Sequence, residues 1–319
     1  MGRYDIFHLH WPEYYLNAPR WKAIIGIPGV LFFVTWLRLR GARVVWTIHN
    51  LHSHTRRYPR VERWFWRILT PLLDGYIGLS DSTVRQACEL YPALQSIPGS
   101  VIPHGHYQGI YQSEISRAGA RQKLGISMDS TVLLFFGGIV PYKNVPRLIQ
   151  TFRDSSLEST ILVVAGLAPD PGDKLQVTEA ARGDKRIQLH LRWIRAEEVQ
   201  VFFAAADLVV CPFSEITNSG SVVLALSFGK PVVVPSLGAL SELQQQVGSD
   251  WVRTYQGNFT CDKLASGVAW AKETARGLRP DLAGLEWRNI AYNTVAFFSR
   301  LLPGRLASTR IEPAVHKEG

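Results

Sequence analysis

Short apolar runs rich in β-branched residues recur along this chain, and this repetition is what most limits the folds it can adopt. The runs return roughly every 20 to 30 residues, with amphipathic stretches between them. Strands that alternate with helices in this way are typical of βαβ units, whose strands are parallel and buried on both faces. The sequence therefore predicts an α/β fold with its strands in one sheet or two. The predicted strands are residues 5–8, 43–48, 75–79, 100–102, 131–136, 160–165, 187–189, 208–211 and 231–234.

The repeating pattern is interrupted between residues 103 and 130, where a polar loop precedes a basic helical segment. We therefore predict two Rossmann-like domains with parallel sheets, over residues 1–127 and 128–304, followed by a tail over residues 305–319. About four of the predicted strands precede the join, fewer than a doubly wound domain usually has. This leaves open that the first domain lacks an N-terminal piece.

The chain is basic, with a formal net charge of +9 over 319 residues. Charge alone favours an anionic partner, which could be a diphosphate, a phospholipid surface or nucleic acid. The arginines cluster near tryptophans rather than along a nucleic-acid-binding module, so we expect no nucleic acid partner. The three cysteines are widely spaced and indicate neither a disulfide framework nor a metal site, and the N-terminus lacks a secretion signal. These features favour the cytoplasm.

The segment over residues 23–37 is strongly apolar but only about 15 residues long, short of the roughly 20 needed to span a bilayer, and Pro28 interrupts it. We therefore predict a buried or interfacial helix. Arginine beside tryptophan suits contact with an anionic membrane surface, and we expect this surface to be the inner face of the plasma membrane. The alternative is a solvated helix face with two tryptophans in the core. The side chains concerned are Arg38, Arg40, Arg43, Arg56, Arg57, Arg60, Arg63, Arg67, Trp64 and Trp66.

Two glycines, Gly137 and Gly138, end the predicted strand over residues 131–136, and Lys143 follows in the loop before the next helix. Glycines at the carboxyl end of a parallel strand let a ligand approach the backbone, and a lysine there supplies a positive charge for phosphate. An ordinary strand-to-helix turn with an exposed lysine is the alternative interpretation.

The loop after the eighth predicted strand ends in small or polar residues that open an apolar helix. These residues are Asn218, Ser219, Gly220 and Ser221. Free amides, hydroxyls and the positive end of the helix dipole make such a helix start an anion site that fits a diphosphate. Plain N-capping by Ser219, worth about 1 kcal/mol, is the alternative. Glu215, just upstream, favours a functional loop because a carboxylate there can bind sugar or ribose hydroxyls.

These two loops, with the turn at Gly229 that follows them, resemble the nucleotide-binding half of glycosyltransferases with the GT-B fold. Residues 8–13, 46–50 and 101–105 look like the acceptor half of the same family. The resemblance implies that the second domain holds a nucleotide diphosphate sugar and the first holds a glycan or lipid-linked glycan acceptor. It also implies reaction in a cleft between the domains, with His104 at the join.

The same resemblance implies roles for individual residues. Lys143 and the helix start at residues 219–221 would neutralise the leaving diphosphate, so that neither a metal nor another cofactor is needed. Glu215 would contact the donor sugar or its ribose.

The chain departs from the commonest retaining members of that family at three positions. It has Gly138 where they carry an arginine, and Ile216 and Leu224 where they carry two glutamates. Here it is similar to bacterial exopolysaccharide β-mannosyltransferases of the xanthan pathway, which use GDP-mannose and invert the sugar's configuration. The resemblance thus implies an inverting hexosyltransferase of polysaccharide biosynthesis that transfers mannose.

An inverting displacement needs a base that removes the proton of the attacking acceptor hydroxyl. Glu13, His10 and His49 stand at the carboxyl ends of the first two predicted strands, so we predict the base among them. A structural or solvated histidine is the alternative. His52 and His54 lie near His49 in sequence, but their loop spacing without an acidic or cysteine partner argues against a metal cluster.

Two other functions stay open at this stage. A nucleotide-sugar epimerase can share the two-domain architecture, but it needs paired acid and base residues around the sugar, and the second domain shows no second carboxylate beside Glu215. A catalytically silent, membrane-associated binding partner of a polysaccharide assembly complex would account for the missing arginine and glutamates.

Overall fold

The computed structural model describes residues 4–53 and 57–302. His54, Arg56 and the predicted tail over residues 305–319 therefore lie outside the described residues. The chain divides into two compact units. The first unit comprises the residues up to Pro103 and those from Arg288 onward, and the second unit comprises His104–Trp287.

The strands of the described residues form two sheets in which every neighbouring pair is parallel. Nine of these strands match the predicted ones within two residues at each end. Parallel strands that are buried on both faces consist of continuous apolar, β-branched residues, and such runs can be identified in the sequence. The strands are β1 (Ile6–His10), β2 (Arg43–Ile48), β3 (Gly75–Gly78), β4 (Gly99–Val101), β5 (Thr131–Phe136), β6 (Thr160–Ala165), β7 (Ile187–His190), β8 (Leu208–Val210), β9 (Val232–Pro235) and β10 (Val252–Tyr255).

Helices connect the strands, as parallel pairing requires. They are α1 (Arg20–Leu39), α2 (Pro59–Leu69), α3 (Asp81–Leu90), α4 (Arg117–Leu124), α5 (Val145–Arg153), α6 (Pro171–Ala181), α7 (Ala196–Ala205), α8 (Gly220–Ser227), α9 (Leu240–Val247), α10 (Cys261–Glu273) and α11 (Trp287–Leu301).

The first sheet has the order β1-β2-β3-β4. Residues of α1, α2 and α3 pack on one face in a core that includes Trp46. On the other face, Phe297 and Leu301 of α11 pack with Val45 and Ile77. Alternate residues of each strand therefore enter different cores.

Helix α1 is longer than its apolar stretch predicted, with 20 residues, and Pro28 lies inside it rather than ending it. Residues such as Ala23, Ile27 and Leu31, spaced four apart, are buried against the first sheet, and this packing outweighs the lost hydrogen bond at the proline. Within the described ranges, α1 is the one helix whose length and hydropathy would let it cross a bilayer, a test that core helices of soluble proteins also pass. Its buried stripe shows that one side of the helix packs on the first sheet.

The second sheet has the order β10-β9-β8-β5-β6-β7, which is the doubly wound arrangement of dinucleotide-binding folds. The winding reverses between β5 and β8, so the loops after these two strands open at the topological switch point. Strand β10 is the strand that the sequence analysis missed. Its four residues are mostly half-buried and pair only with β9, so they lack the continuous apolar run of a central strand.

The boundary between the units differs from the predicted join at residue 127. The α4 segment belongs to the second unit because Arg121 is fully buried there. Its guanidinium donates to Asp207 at 2.7 Å and to the carbonyl oxygens of Ala205, Ser127, Met128 and Ser130 at 2.7–3.2 Å. At the other end, most of α11 belongs to the first unit, whereas the sequence analysis assigned it to the second domain. Long-range packing, which leaves no mark on the local pattern, decides both assignments.

Candidate active site

The two loops singled out in the sequence lie side by side in the second unit. Strands β5 and β8 are neighbours, so the loops that leave their carboxyl ends start next to each other. The Ser214 amide and hydroxyl both donate to the Tyr142 carbonyl oxygen, at 2.8 and 3.2 Å. These bonds join the loop that carries Lys143 to the loop that carries Glu215.

Gly137 is the point on which two predicted donor-binding side chains converge. A Cβ atom added there would lie 2.7 Å from Ser221 Oγ and 3.0 Å from Lys143 Nζ. The hydroxyl and the ammonium are therefore close neighbours over the Gly137 backbone. Gly137 also has φ +133°, a conformation that only glycine adopts readily.

Gly166, directly after β6, is in close backbone contact with Gly137. A Cβ there would lie 1.9 Å from the Gly137 carbonyl oxygen, and Gly166 itself has φ +151°. The two glycines thus let the ends of neighbouring strands touch backbone to backbone. The sequence analysis overlooked Gly166, although its place directly after the β-branched run of β6 was a usable signal.

Lys143 is half-buried, and burial lowers the pKa of its ammonium below the usual value of 10.5. It forms no ion pair with any residue that the structure describes. The nearby Cys211 is fully buried, and burial raises the pKa of its thiol to about 12, so it supplies no anion at neutral pH. The ammonium is therefore placed to take its counter-charge from a ligand.

The start of α8 offers donors at the same place. The Ser219 hydroxyl accepts from the Val222 amide at 3.3 Å, which confirms that Ser219 caps the helix. The amides of Gly220 and Ser221 have no acceptor among the described residues. Capping and anion binding are thus compatible here, since the cap uses one amide and leaves the first two free.

His104 lies at this helix start too. A Cβ added to Gly220 would lie 3.1 Å from Tyr107 Oη and 3.9 Å from His104 Nε2. His104 Nδ1 donates to the Gly105 carbonyl oxygen at 2.7 Å, which leaves Nε2 to accept from Tyr107 Oη at 3.4 Å. The residue predicted at the domain join therefore borders the predicted diphosphate site of the second unit.

The remaining predicted donor-binding residues are less closely tied to this centre. A Cβ on Gly138 would meet nothing nearer than the Leu167 carbonyl oxygen at 4.0 Å. Asn218 is half-buried and Glu215 is exposed on the loop between β8 and α8.

The candidate bases of the first unit also cluster. His10 Nδ1 and His49 Nε2 share a hydrogen bond of 2.8 Å, because β1 and β2 are adjacent and both end there. Glu13 follows in a short 3-10 helix, is only 3% exposed and accepts from Asn50 Nδ2 at 3.3 Å. Burial raises the pKa of its carboxyl above the usual value, against the opposing effect of hydrogen bonds that include the one from Asn50. A buried carboxyl with a raised pKa is a common feature of acid–base sites.

Two further residues of the segment 8–13, which were not among the predicted bases, contact this cluster. His8 Nε2 lies 2.6 Å from Thr47 Oγ1, and burial together with the neighbouring His10 lowers the His8 pKa to about 4. Trp11 has φ +47° and stacks on the His49 ring at 4.2 Å and 18°. The alternation of β1 places His8 and His10 on one face, and this was a readable signal, whereas the Trp11 backbone conformation was not.

No group of three or more histidine, cysteine, aspartate or glutamate side chains is placed to hold a metal ion in the part of the chain that the structure describes.

Comparisons with known proteins agree with this architecture. Residues 130–265 match the family model described as "Glycosyl transferases group 1". Over 291 residues the chain is 30% identical to a GDP-mannose:glycolipid 4-beta-D-mannosyltransferase of Xanthomonas campestris pv. campestris, covering 91% of this chain and 78% of that protein.

Solved structures share the fold at lower identity. The sucrose-phosphate synthase of Thermosynechococcus elongatus matches with a TM-score of 0.69 and 18% identity over 94% of this chain and 74% of its own. A glycosyltransferase of Rickettsia africae ESF-5 matches with a TM-score of 0.68 and 12% identity over 94% and 77%. With two units built on parallel sheets and a relative matched over most of its length, the chain belongs to the group 1 glycosyltransferases and has the GT-B fold.

Proposed function

We propose that this glycosyltransferase moves mannose from GDP-mannose to a lipid-linked glycan, with inversion at the sugar's anomeric carbon and without a bound metal. The observation that carries the proposal is the convergence of Lys143 Nζ and Ser221 Oγ over Gly137 at the switch point of the second sheet. The Xanthomonas relative, a GDP-mannose:glycolipid 4-beta-D-mannosyltransferase, supports the choice of donor and acceptor class.

The diphosphate is the leaving group of this reaction. As the C1–O bond to the diphosphate breaks, negative charge develops on the phosphate oxygens. The Lys143 ammonium, the Ser221 hydroxyl and the free amides at the start of α8 supply a cation and oriented donors for that charge. This is the electrostatic role that a divalent cation has in other transferases, and it supports the metal-independent proposal.

The acceptor hydroxyl forms the new bond to C1 and loses its proton to a base. We assign this role to Glu13, with the hydrogen-bonded His10 and His49 as the neighbouring proton-carrying groups. Burial raises the Glu13 pKa, which increases its basicity, and lowers the His10 pKa, which keeps that imidazole neutral near pH 7. Glu13→Gln should lower kcat by a factor of about 10²–10⁴ while GDP affinity stays unchanged.

Donor binding is tested with GDP, UDP and their sugars by calorimetry. Lys143→Ala should weaken GDP binding about tenfold or more, as expected for loss of one charge-assisted contact to phosphate. Lys174→Ala, which removes an exposed lysine from α6, is the matched control and should bind as the native chain does. Equal affinities in the two variants would contradict the site.

Transfer itself is tested with labelled GDP-mannose and a membrane lipid extract. We expect label in the lipid fraction, a β-mannosidic product by NMR, and activity that persists in EDTA. GDP binding without any transfer would favour the catalytically silent partner.

We also propose that the protein works at the inner face of the plasma membrane, held by the exposed side of α1. Ile25, Phe32 and Leu39 are 70%, 74% and 82% exposed on this side, opposite the stripe that packs on the sheet. Arg40 caps the end of the helix and is exposed, so it can pair with lipid phosphate, whereas Arg38 already pairs with Asp74 at 3.3 Å.

Flotation with vesicles containing phosphatidylglycerol tests this contact. Ile25→Glu with Phe32→Glu should remove most of the bound protein, because two charges enter the apolar surface. Leu175→Glu, at an exposed leucine of α6, should float as the native chain does. Equal flotation of both variants would overturn the membrane proposal and leave the donor site unaffected.

A further inference from the structure

A groove of about 770 Å³ in the first unit is lined by residues other than the predicted bases His10, Glu13 and His49. Its lining includes Pro59, Arg63 and Trp66, which are spaced three or four residues apart on α2, and Thr70 directly after that helix. It also includes residues 90–93, which begin at the last residue of α3. The groove therefore lies between α2 and the end of α3.

Trp66 is the most buried aromatic residue of the lining. Trp66 is only 1% exposed, and its indole Nε1 has no hydrogen-bond acceptor in the described part of the chain. The Tyr91 hydroxyl is already used, since it donates to the Leu51 carbonyl oxygen, and the Thr70 hydroxyl donates to the Trp66 carbonyl oxygen.

The rim of the groove is cationic. Arg63 and Arg67 lie one turn apart, are exposed, and form no ion pair with a described residue. The one carboxylate of the lining, Glu62, is buried and accepts from the Ser53 amide at 2.6 Å and hydroxyl at 3.0 Å, with His52 Nδ1 at 3.9 Å. Its charge is thus compensated within the protein, while the two guanidinium groups remain available.

We propose that this groove binds a phosphate-bearing lipid, with its hydrocarbon chain against Trp66, Leu90 and Pro92 and its phosphate beside Arg63 and Arg67. An apolar lining and a pair of exposed arginines without an ion pair to a described residue match the two parts of such an amphiphile. The inference deepens the proposed function and rests on it, because the proposed lipid-linked acceptor contains both parts.

The test uses farnesyl diphosphate below its micelle concentration as a soluble probe of the full chain. The indole N–H signals of chain labelled with ¹⁵N-tryptophan report binding, and Trp66→Phe assigns the signal of Trp66. We expect a saturable shift of that signal, because the indole lines the groove. Arg63→Gln and Arg67→Gln should each weaken binding several-fold, and both together about tenfold or more.

Two variants define the specificity of the effect. Arg60→Gln removes an exposed arginine of the same helix that does not line the groove, and it should bind as the native chain does. Ala93→Trp places a large side chain in the groove and should abolish the shift, with unchanged indole signals of the other tryptophans of the first unit as the check that this unit is folded.

Two simpler ligands test whether both the hydrocarbon chain and the phosphate contribute to binding. Farnesol and inorganic diphosphate should each shift the Trp66 signal only at concentrations at least about tenfold higher. No saturable shift, equal affinity of the Arg60→Gln and Arg63→Gln/Arg67→Gln chains, or equal potency of inorganic diphosphate would overturn it. Lys143→Ala tests whether the two sites are independent, and we expect it to lose GDP binding and to keep lipid binding. If the native chain itself fails to bind GDP, that result would count against the proposed function alone.

Discussion

The arrangement at Gly137 gives the sharpest test of the donor site. In Gly137→Ala, the new methyl group would lie 2.7 Å from Ser221 Oγ and 3.0 Å from Lys143 Nζ, on a backbone with φ +133°. Backbone strain of about 1–3 kcal/mol and displacement of the two side chains together predict a loss of about 2–4 kcal/mol in the free energy of unfolding. The unfolding temperature of the second unit should then fall by roughly 5–15 °C.

Two other glycines separate the contributions to that loss. Gly138→Ala adds a methyl group next door with nothing nearer than 4.0 Å, so it should change stability by about 1 kcal/mol or less. Gly183→Ala, at φ +82° in open space, isolates the backbone strain without any contact with the site. It should cost about 1 kcal/mol or more and leave GDP affinity unchanged.

Calorimetric unfolding of the full chain and GDP titration provide the two measurements. Gly137→Ala should lower both the unfolding temperature and, about tenfold, the GDP affinity, since the ammonium and hydroxyl must move. The reasoning fails if Gly137→Ala and Gly138→Ala unfold at the same temperature, or if Gly137→Ala keeps native GDP affinity.

Other predictions concern charge and burial. Arg121→Met should cost about 3–5 kcal/mol in urea unfolding because it removes the buried partner of Asp207 and leaves four carbonyl oxygens without their donor, whereas Arg117→Met, at an exposed partner of the same carboxylate, should cost about 1 kcal/mol or less. GDP affinity should fall as the pH rises through the lowered pKa of Lys143 towards 10.5, because binding needs the ammonium, and calorimetry on Lys143→Arg should show no such fall. The pKa of His8 is about 4 in the folded chain, against an ordinary value of 6.5. Between these two pH values His8 stays neutral in the folded chain while the unfolded chain takes up a proton, so the free energy of unfolding should decrease as the pH falls from 6.5 to about 4. Thermal unfolding of His8→Gln should show a smaller loss over that range, and an identical loss would refute the assignment.

The sequence alone determined most of the strands and the loops that carry the candidate chemistry. The β-branched runs of β2, β5 and β6 were placed to the residue, because central parallel strands are apolar on both faces and bounded by turns. Gly137 and Lys143 could be selected since they follow such a strand directly. The family resemblance then supplied the enzyme class, which the comparisons confirm.

Tertiary structure decided what depends on distant partners. The buried Arg121 attaches residues 117–130 to the second unit, and α11 returns to the first sheet through Phe297. Strand β10 exists because β9 offers it an edge, and α1 continues through Pro28 because one side of it packs on the sheet. The local sequence pattern indicates the secondary structure that a segment prefers. Which unit a segment joins, and whether an edge strand forms, depends instead on burial of apolar surface and on hydrogen bonds with residues that are distant in the sequence.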